Sequence, residues 1–185
     1  MQPTERQLLL DEGAVSRTLA TMAQEIIRQS GDPSRVVLMG VQRRGVELAG
    51  RLAQLMARDG RAAPPRGALD ITLYRDDLEV VGPKPIVGPT HLPCDLEGRH
   101  VWIVDDVLHT GRTIRAALDE LADFGRPARI GLAVLVDRGG RELPIQADVA
   151  GHSVQAGPGD HVEVLVKELD DRDAAYLLKG AGVHV

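Results

Sequence analysis

The stretch from Val101 to Thr113 reads VWIVDDVLHTGRT. Val101 to Val104 form a short, continuously apolar run of the kind buried inside a parallel sheet. Asp105 and Asp106 follow as adjacent carboxylates, then Val107, Leu108 and His109. Thr110-Gly111-Arg112-Thr113 next opens a segment, Arg112 to Phe124, with Ile114, Ala117, Leu118, Leu121 and Phe124 at helical spacing. Strand, tight turn and helix form the repeating unit of an α/β fold, and open parallel sheets bind ligands beyond the carboxyl ends of their strands. The two acids stand at that edge. Ionised carboxylates only accept hydrogen bonds, which suits the hydroxyls of a sugar. The free N–H groups and dipole of a helix beginning at Thr110 to Thr113 attract an anion, and Gly111 lets the backbone come close. Taken singly, Asp and Thr here read as helix caps. In this order they point to a sugar phosphate.

Working outward, Arg35 to Gly40 (RVVLMG) is a second buried-strand candidate, and Gly45 to Arg58 a second helix. The loop between them, GVQRRG, contains Val41, Gln42, Arg43 and Arg44 and faces the same sheet edge. Two loop arginines alone are usually solvated; beside the first loop they suit a second phosphate group. Val15, Leu19, Met22 and Ile26 place an amphipathic helix over Asp11 to Ser30, stopped by Gly31-Asp32-Pro33. Gly67 to Tyr74 reads as a strand, and the Pro- and Gly-rich Arg75 to Leu92 as a long flexible loop of the kind that often serves as a lid. Arg129 to Val136 reads as a further strand. Past Asp137 come short pieces, a strand at His161 to Lys167 and a final helix at Asp171 to Leu178. Strands alternating with helices predict a single α/β domain over residues 1–185, with a central parallel sheet flanked by helices and a small subdomain mainly within 137–170.

Composition narrows the partners. With 185 residues and 43% hydrophobic, the chain can bury one core, and an aromatic share of 2% makes that core aliphatic and base stacking an unlikely mode of recognition. No apolar run approaches the length of a membrane span, and MQPTERQLLLDEG lacks the layout of a signal peptide. The lone Cys94 cannot form an internal disulfide, and no CxxC or HExxH motif supplies zinc ligands, so a soluble protein of the reducing cytoplasm is expected. A net charge of −5 argues against a wholly basic nucleic-acid binder but allows a local basic patch.

The phosphate motif is that of type I phosphoribosyltransferases. Together with LDITLYRDDL (Leu69 to Leu78), LAVLVDRGGRELPIQAD (Leu132 to Asp148) and DFGRP, it makes most of the chain resemble the bifunctional pyrimidine-operon attenuation regulators, a family that also has uracil phosphoribosyltransferase activity. The resemblance implies a type I fold with a hood, a flexible loop after Tyr74, and dimers or higher homo-oligomers. It also implies phosphoribosyl pyrophosphate with Mg2+ and uracil as substrates, UMP and pyrophosphate as products, and binding of pyrimidine-gene leader RNA when UMP is present. On that transfer Asp105 and Asp106 hold the ribose and Thr110, Gly111, Arg112 and Thr113 the 5′-phosphate, with Val107, Leu108 and His109 part of the same ribose and 5′-phosphate segment. Val41 to Arg44 hold the pyrophosphate, and Val136, Asp137 and Arg138 meet uracil largely through backbone. Asp105, Asp106 and Arg75 are the catalytic candidates. Magnesium is expected to be carried by substrate oxygens and water, with no direct protein ligand.

The sequence also departs from the family. His109 replaces a usual Tyr. Ala20, Gln24, Gly140 and Gln146 stand where Thr, His, His and Arg are common, and His152 to Gly157 replace a Lys-Asn-x-Pro-Thr-Ser run. These changes spare the sugar-phosphate motif and fall on segments the family uses for RNA. Arg17, Thr21, Gln24 and Arg28 form a polar stripe opposite the apolar face of the first helix, ordinarily a solvated surface. Arg17, Thr21, Arg28 and Arg141 are the RNA-contact candidates. Two alternatives stay open: a transferase acting on another base, and an enzyme that has lost RNA regulation.

Overall fold

The computed structural model describes residues 5–58, 60–71 and 89–180. Its centre is a five-stranded, wholly parallel sheet in the order β3-β2-β4-β5-β6, built from β2 (Val36–Val41), β3 (Arg66–Leu69), β4 (His100–Leu108), β5 (Arg129–Asp137) and β6 (Val149–Ser153). The helices are α1 (Glu12–Ser30), α2 (Arg44–Met56) and α3 (Arg112–Ala122). The α/β architecture with flanking helices is thus as the sequence predicts. α1 begins at Asp11, whose carboxylate accepts the Ala14 N–H at 2.7 Å, and ends at Gly31, where φ is +68°.

Both faces of the sheet are buried, which is why its central strands are apolar throughout. On one face Leu19, Ile26, Leu48 and Leu52 from α1 and α2 pack against Leu38, Trp102 and Leu135. On the other, Ile114, Ala117 and Leu121 from α3 meet Val37, Met39, Val101, Ile103 and Leu132. Trp102 is fully buried and donates its indole N–H to Ser30 Oγ at 3.0 Å, which in turn bonds the Ile26 carbonyl. Room for that indole exists because residue 131 is glycine: a β-carbon there would lie 2.9 Å from the ring.

Several sequence expectations require correction. The segment after Asp171 is not a helix: Lys167–Asp170 makes a single turn, α4, and Ala174–Lys179 is strand β8. A short apolar run does not distinguish the two by periodicity. Here the tertiary partners decide, because β8 lies between β1 (Glu5–Leu10) and β7 (His161–Leu165) in an antiparallel three-stranded sheet. β1 escaped notice because as an edge strand it is mostly exposed and shows no clean alternation. This second sheet, the hood, takes β7 from within 137–170 and β1 and β8 from outside it. β4 runs on through Leu108, so Asp105 and Asp106 lie within a paired strand rather than beyond it. β6 went unread, and Phe124 lies outside α3 with 40% of its surface exposed. The described part of the third expected strand ends at Leu69; Arg75 and the expected loop through residue 88 lie outside the described residues.

Gly131→Ala should lower stability by about 1–3 kcal/mol, the usual cost of overpacking a filled core. Urea unfolding followed by Trp102 fluorescence checks this, and an unchanged midpoint would refute the packing role assigned to Gly131.

Candidate active site

Two loops meet at the carboxyl edge of the sheet, and glycines make the meeting possible. A β-carbon on Gly40 would stand 2.5 Å from the Gly45 carbonyl oxygen, and one on Gly45 would stand 2.4 Å from the Val104 carbonyl oxygen. The GVQRRG loop thus folds tightly on itself and its second glycine presses directly on β4, one residue before the paired acids. The Gln42–Arg43 peptide bond is cis. Leu69, at the end of β3, accepts the Gln42 N–H at 3.0 Å and anchors the loop from the other side.

The second loop, His109 to Gly111, leads into α3. Gly111 is the helix N-cap at φ +95°, a conformation that favours glycine, and a side chain there would also crowd Leu143 and Ile145 at 3.3 Å. The Thr110 carbonyl accepts N–H groups from Glu142 and Leu143 at 3.0 and 3.1 Å, and Thr110 Oγ1 accepts from the Arg112 N–H. The first-turn N–H groups of α3 have no carbonyl of the preceding turn to bond, which makes this end of the helix suitable for a phosphate.

Asp105 and Asp106 are close to each other and poorly solvated. Asp105 is 6% exposed and accepts the Asp106 N–H at 2.9 Å; Asp106 accepts the Val107 N–H at 2.8 Å. Burial foremost, and then the charge of Asp106, push the Asp105 carboxyl well above the usual carboxylate range. Burial also raises Asp106, opposed by its hydrogen bond with Asp105 and by the positive charge of Arg44. Asp106, Arg44, Val107, His109 and Arg138 line a cleft of about 440 Å3, closed from the hood by His161 to Val164. Of these, His161 and Glu163 were missed in the sequence. Their signal was the alternation of HVEVL, which buries Val162 and Val164 and leaves His161 and Glu163 at the intervening positions.

His109 sits beside Arg138, whose Nη1 donates to its Nδ1 at 2.9 Å. Arginine cannot accept, so this contact requires the neutral ring with its proton on Nε2. Burial first, then the charges of Arg138 and Arg141, hold the imidazole below its ordinary 6.5, with Glu142 opposing. Val136 is fully buried within β5, paired with Val107 on one side and His152 on the other. Asp137 is engaged on both oxygens, by Gly139 N–H at 3.0 Å and by Arg141 at 2.6 Å.

The RNA-contact candidates divide. Arg17 and Thr21 line a shallow hollow with Thr18, Glu25 and Asp148. Arg28 is exposed but pairs with Glu25 through two hydrogen bonds. Arg141 is turned inward, its side chain only 13% exposed, and donates to the carbonyls of His109 and Ile145 as well as to Asp137. It braces the loops of the cleft.

A parallel sheet with two anion-suited loops at its carboxyl edge and a hood across the cleft defines the class of type I phosphoribosyltransferases, and the family model described as phosphoribosyl transferase domain matches residues 7–168. Similar folds include hypoxanthine phosphoribosyltransferases of Staphylococcus aureus and Trypanosoma cruzi. The first has TM-score 0.69 at 17% identity over 94% of this chain and 91% of that one. The second has TM-score 0.67 at 19% identity over 93% and 95%. At such identities the fold alone is shared. Two curated relatives, both named bifunctional protein PyrR, are far nearer in sequence. That of Chloroflexus aurantiacus is 51% identical over 96% of this chain and 97% of its own, and that of Thermus aquaticus 47% identical over 94% and 96%. This chain belongs to the PyrR family.

The depressed His109 pKa carries a signed expectation. The neutral ring is favoured on folding, so its contribution to stability is present above the unfolded value and is lost as pH falls through the folded one. An NMR titration of the imidazole should show a midpoint below 6.5, and Arg138→Met should move it only part of the way back, because burial is the larger cause. A midpoint at or above 6.5 would contradict the geometry described.

Proposed function

We infer that the protein is a uracil phosphoribosyltransferase, converting uracil and phosphoribosyl pyrophosphate to UMP and pyrophosphate, and a UMP-responsive RNA-binding regulator of pyrimidine gene transcription. The observation that carries this reading is one cleft lined by Arg44, Asp106 and His109, the last two flanked in sequence by buried Asp105 and by the start of α3, in a chain 51% identical to a bifunctional PyrR protein. The cytoplasm is its expected compartment; no helix among the described residues is long and apolar enough to cross a membrane. The resemblance also implies a homodimer or higher homo-oligomer.

In the reaction the C1′–oxygen bond to pyrophosphate breaks, a bond from uracil N1 to C1′ forms, and the N1 proton is lost. Positive charge develops at the anomeric carbon, so catalysis is positioning and electrostatics. Asp105 and Asp106 accept from the ribose hydroxyls, and their carboxylates favour a nearby cationic centre. The backbone of Thr110 to Thr113 holds the 5′-phosphate, Val41 to Arg44 hold the pyrophosphate, and Val136 to Arg138, at the carboxyl end of β5, meet the base. Magnesium is expected to arrive with the substrate, held by its oxygens and by water, with the Asp106 carboxylate facing the cleft nearby. When bound, the ion would neutralise charge on the departing pyrophosphate.

Uracil-dependent release of pyrophosphate, with hypoxanthine and guanine as competing bases, tests the enzyme. Asp105→Asn with Asp106→Asn should weaken donor binding roughly ten- to a hundredfold, since a charge-assisted hydrogen bond contributes about 1.5–3 kcal/mol. The same variant should melt no lower than the parent at neutral pH. A carboxyl whose pKa is raised on folding costs stability once pH exceeds its unfolded value, and Asn removes that cost. Undiminished affinity in the folded variant would remove the site assignment.

For RNA, inward Arg141 and paired Arg28 leave Arg17 and Thr21 as the proposed contacts on α1. Titration with the pyrimidine-gene leader and a scrambled control, with and without UMP over a salt series, should show UMP-stimulated discrimination. Equal, salt-labile binding to both RNAs would leave the enzyme alone.

A further inference from the structure

The turn joining β7 to β8 presents three carboxylates to α2. Arg51 commits all three of its guanidinium nitrogens: Nε and Nη2 to Glu168, Nη1 and Nη2 to Asp173 at 2.7 and 2.8 Å. Seven residues earlier, Arg44 donates from Nε and Nη2 to the two oxygens of Asp170, at 3.2 and 3.0 Å. The carboxylates are themselves fixed by the turn. Asp170 Oδ2 accepts the Val166 N–H at 2.9 Å, and Asp173 accepts the Lys167 N–H at 2.8 Å. The hood is thereby pinned to the helix that starts at the GVQRRG loop.

The two arginines differ in what they leave over. Among the described residues no hydrogen bond forms from Arg44 Nη1, and Arg44, unlike Arg51, lines the cleft together with Asp106. A guanidinium is a rigid fork with five donors, so a carboxylate on one edge sets the direction of the other. Without Asp170 the long side chain would sample many rotamers, and ordering it would fall to the ligand.

We infer that Asp170 is a positioning residue for the pyrophosphate group: it grips one edge of Arg44 so that the remaining donors are already directed into the cleft when the donor substrate arrives. This rests on the reading of Val41 to Arg44 as the pyrophosphate loop. It makes the hood, otherwise on the base side of the cleft, a contributor to the opposite half of the site.

The test is steady-state kinetics in both directions on the full-length protein with Arg44→Ala, Asp170→Asn, the double variant, and Glu168→Gln, which loosens the same turn without touching Arg44. Asn keeps an acceptor for the Val166 N–H, and circular dichroism confirms folding. Asp170→Asn should raise KM for phosphoribosyl pyrophosphate and for pyrophosphate by ~5–10-fold and leave KM for uracil within about twofold, the scale of a well-ordered ion pair acting through one side chain. The double variant should be no worse than Arg44→Ala, and Glu168→Gln should match the parent. The inference is overturned if Arg44→Ala raises both constants while Asp170→Asn does not, if the two effects simply multiply, or if uracil KM rises in step. Should Arg44→Ala itself change neither constant, the pyrophosphate-loop reading fails and this inference with it.

Discussion

The site depends on one close approach: the backbone of Gly45 against the carbonyl of Val104, where even a methyl group would stand 2.4 Å from the oxygen. That contact joins the loop after β2 to the strand that carries Asp105 and Asp106. Because β2 and β4 are adjacent and parallel, with Gly40 opposite Val104, their carboxyl ends arrive at the same level. The loop can then reach across only if nothing projects from residues 40 and 45. Parallel pairing sets where the two loops begin, and the glycines set how near they come.

The charges follow from that proximity. Placing two carboxylates on neighbouring residues of a buried strand is unfavourable, and both are pushed towards their neutral forms. Positive charge nearby offsets part of this cost. Arg44 already favours ionised Asp106, and a sugar's hydroxyls together with a metal-bearing diphosphate would supply the rest. The cost in stability and the capacity to bind have the same origin, which is the usual relation between strain and function at a binding site. His109 shows the same logic with opposite sign: beside Arg138 and Arg141 its neutral ring is the favoured form, and as an acceptor it holds Arg138 at the mouth of the cleft.

The hood joins the apolar core through Leu10, Val162, Val164, Val166, Ala175 and Leu177, and arginine–carboxylate pairs add to this at its turn and within its sheet. Arg44 and Arg51 on α2 meet Asp170, Glu168 and Asp173, and Arg6 on β1 meets Glu163 while its guanidinium lies 3.7 Å from the centre of the Tyr176 ring. With only three lysines in the sequence, these roles fall to a side chain whose planar fork can engage two oxygens at once. The abundance of arginine over lysine thus has a structural use.

Much of the fold was legible in the order of residues. Val36 to Val41 and Val101 to Val104 are continuous apolar runs because both faces of a parallel sheet are covered, and the 3.6-residue spacing of Val15, Leu19, Met22 and Ile26 or of Ile114, Ala117 and Leu121 marks helices that cover them. The order of strand, acids, turn and helix start in 101–113 was legible for the same local reason, since its parts are contiguous. What local pattern could not decide was anything requiring a distant partner. AAYLLK becomes a strand because QLLL, at the far end of the chain, and HVEVL lie on either side of it. Arg141 reads as a surface cation until the carbonyls of His109 and Ile145 and the carboxylate of Asp137 are found around it. The alternation of HVEVL marks His161 and Glu163 only as the less buried positions of a strand, and Asp170 carries no local mark of the site, because it is the packing of the hood on α2 that brings them to Arg44 and Asp106. Periodicity records which face of an element is buried; which charged groups then meet across a cleft is set by tertiary packing.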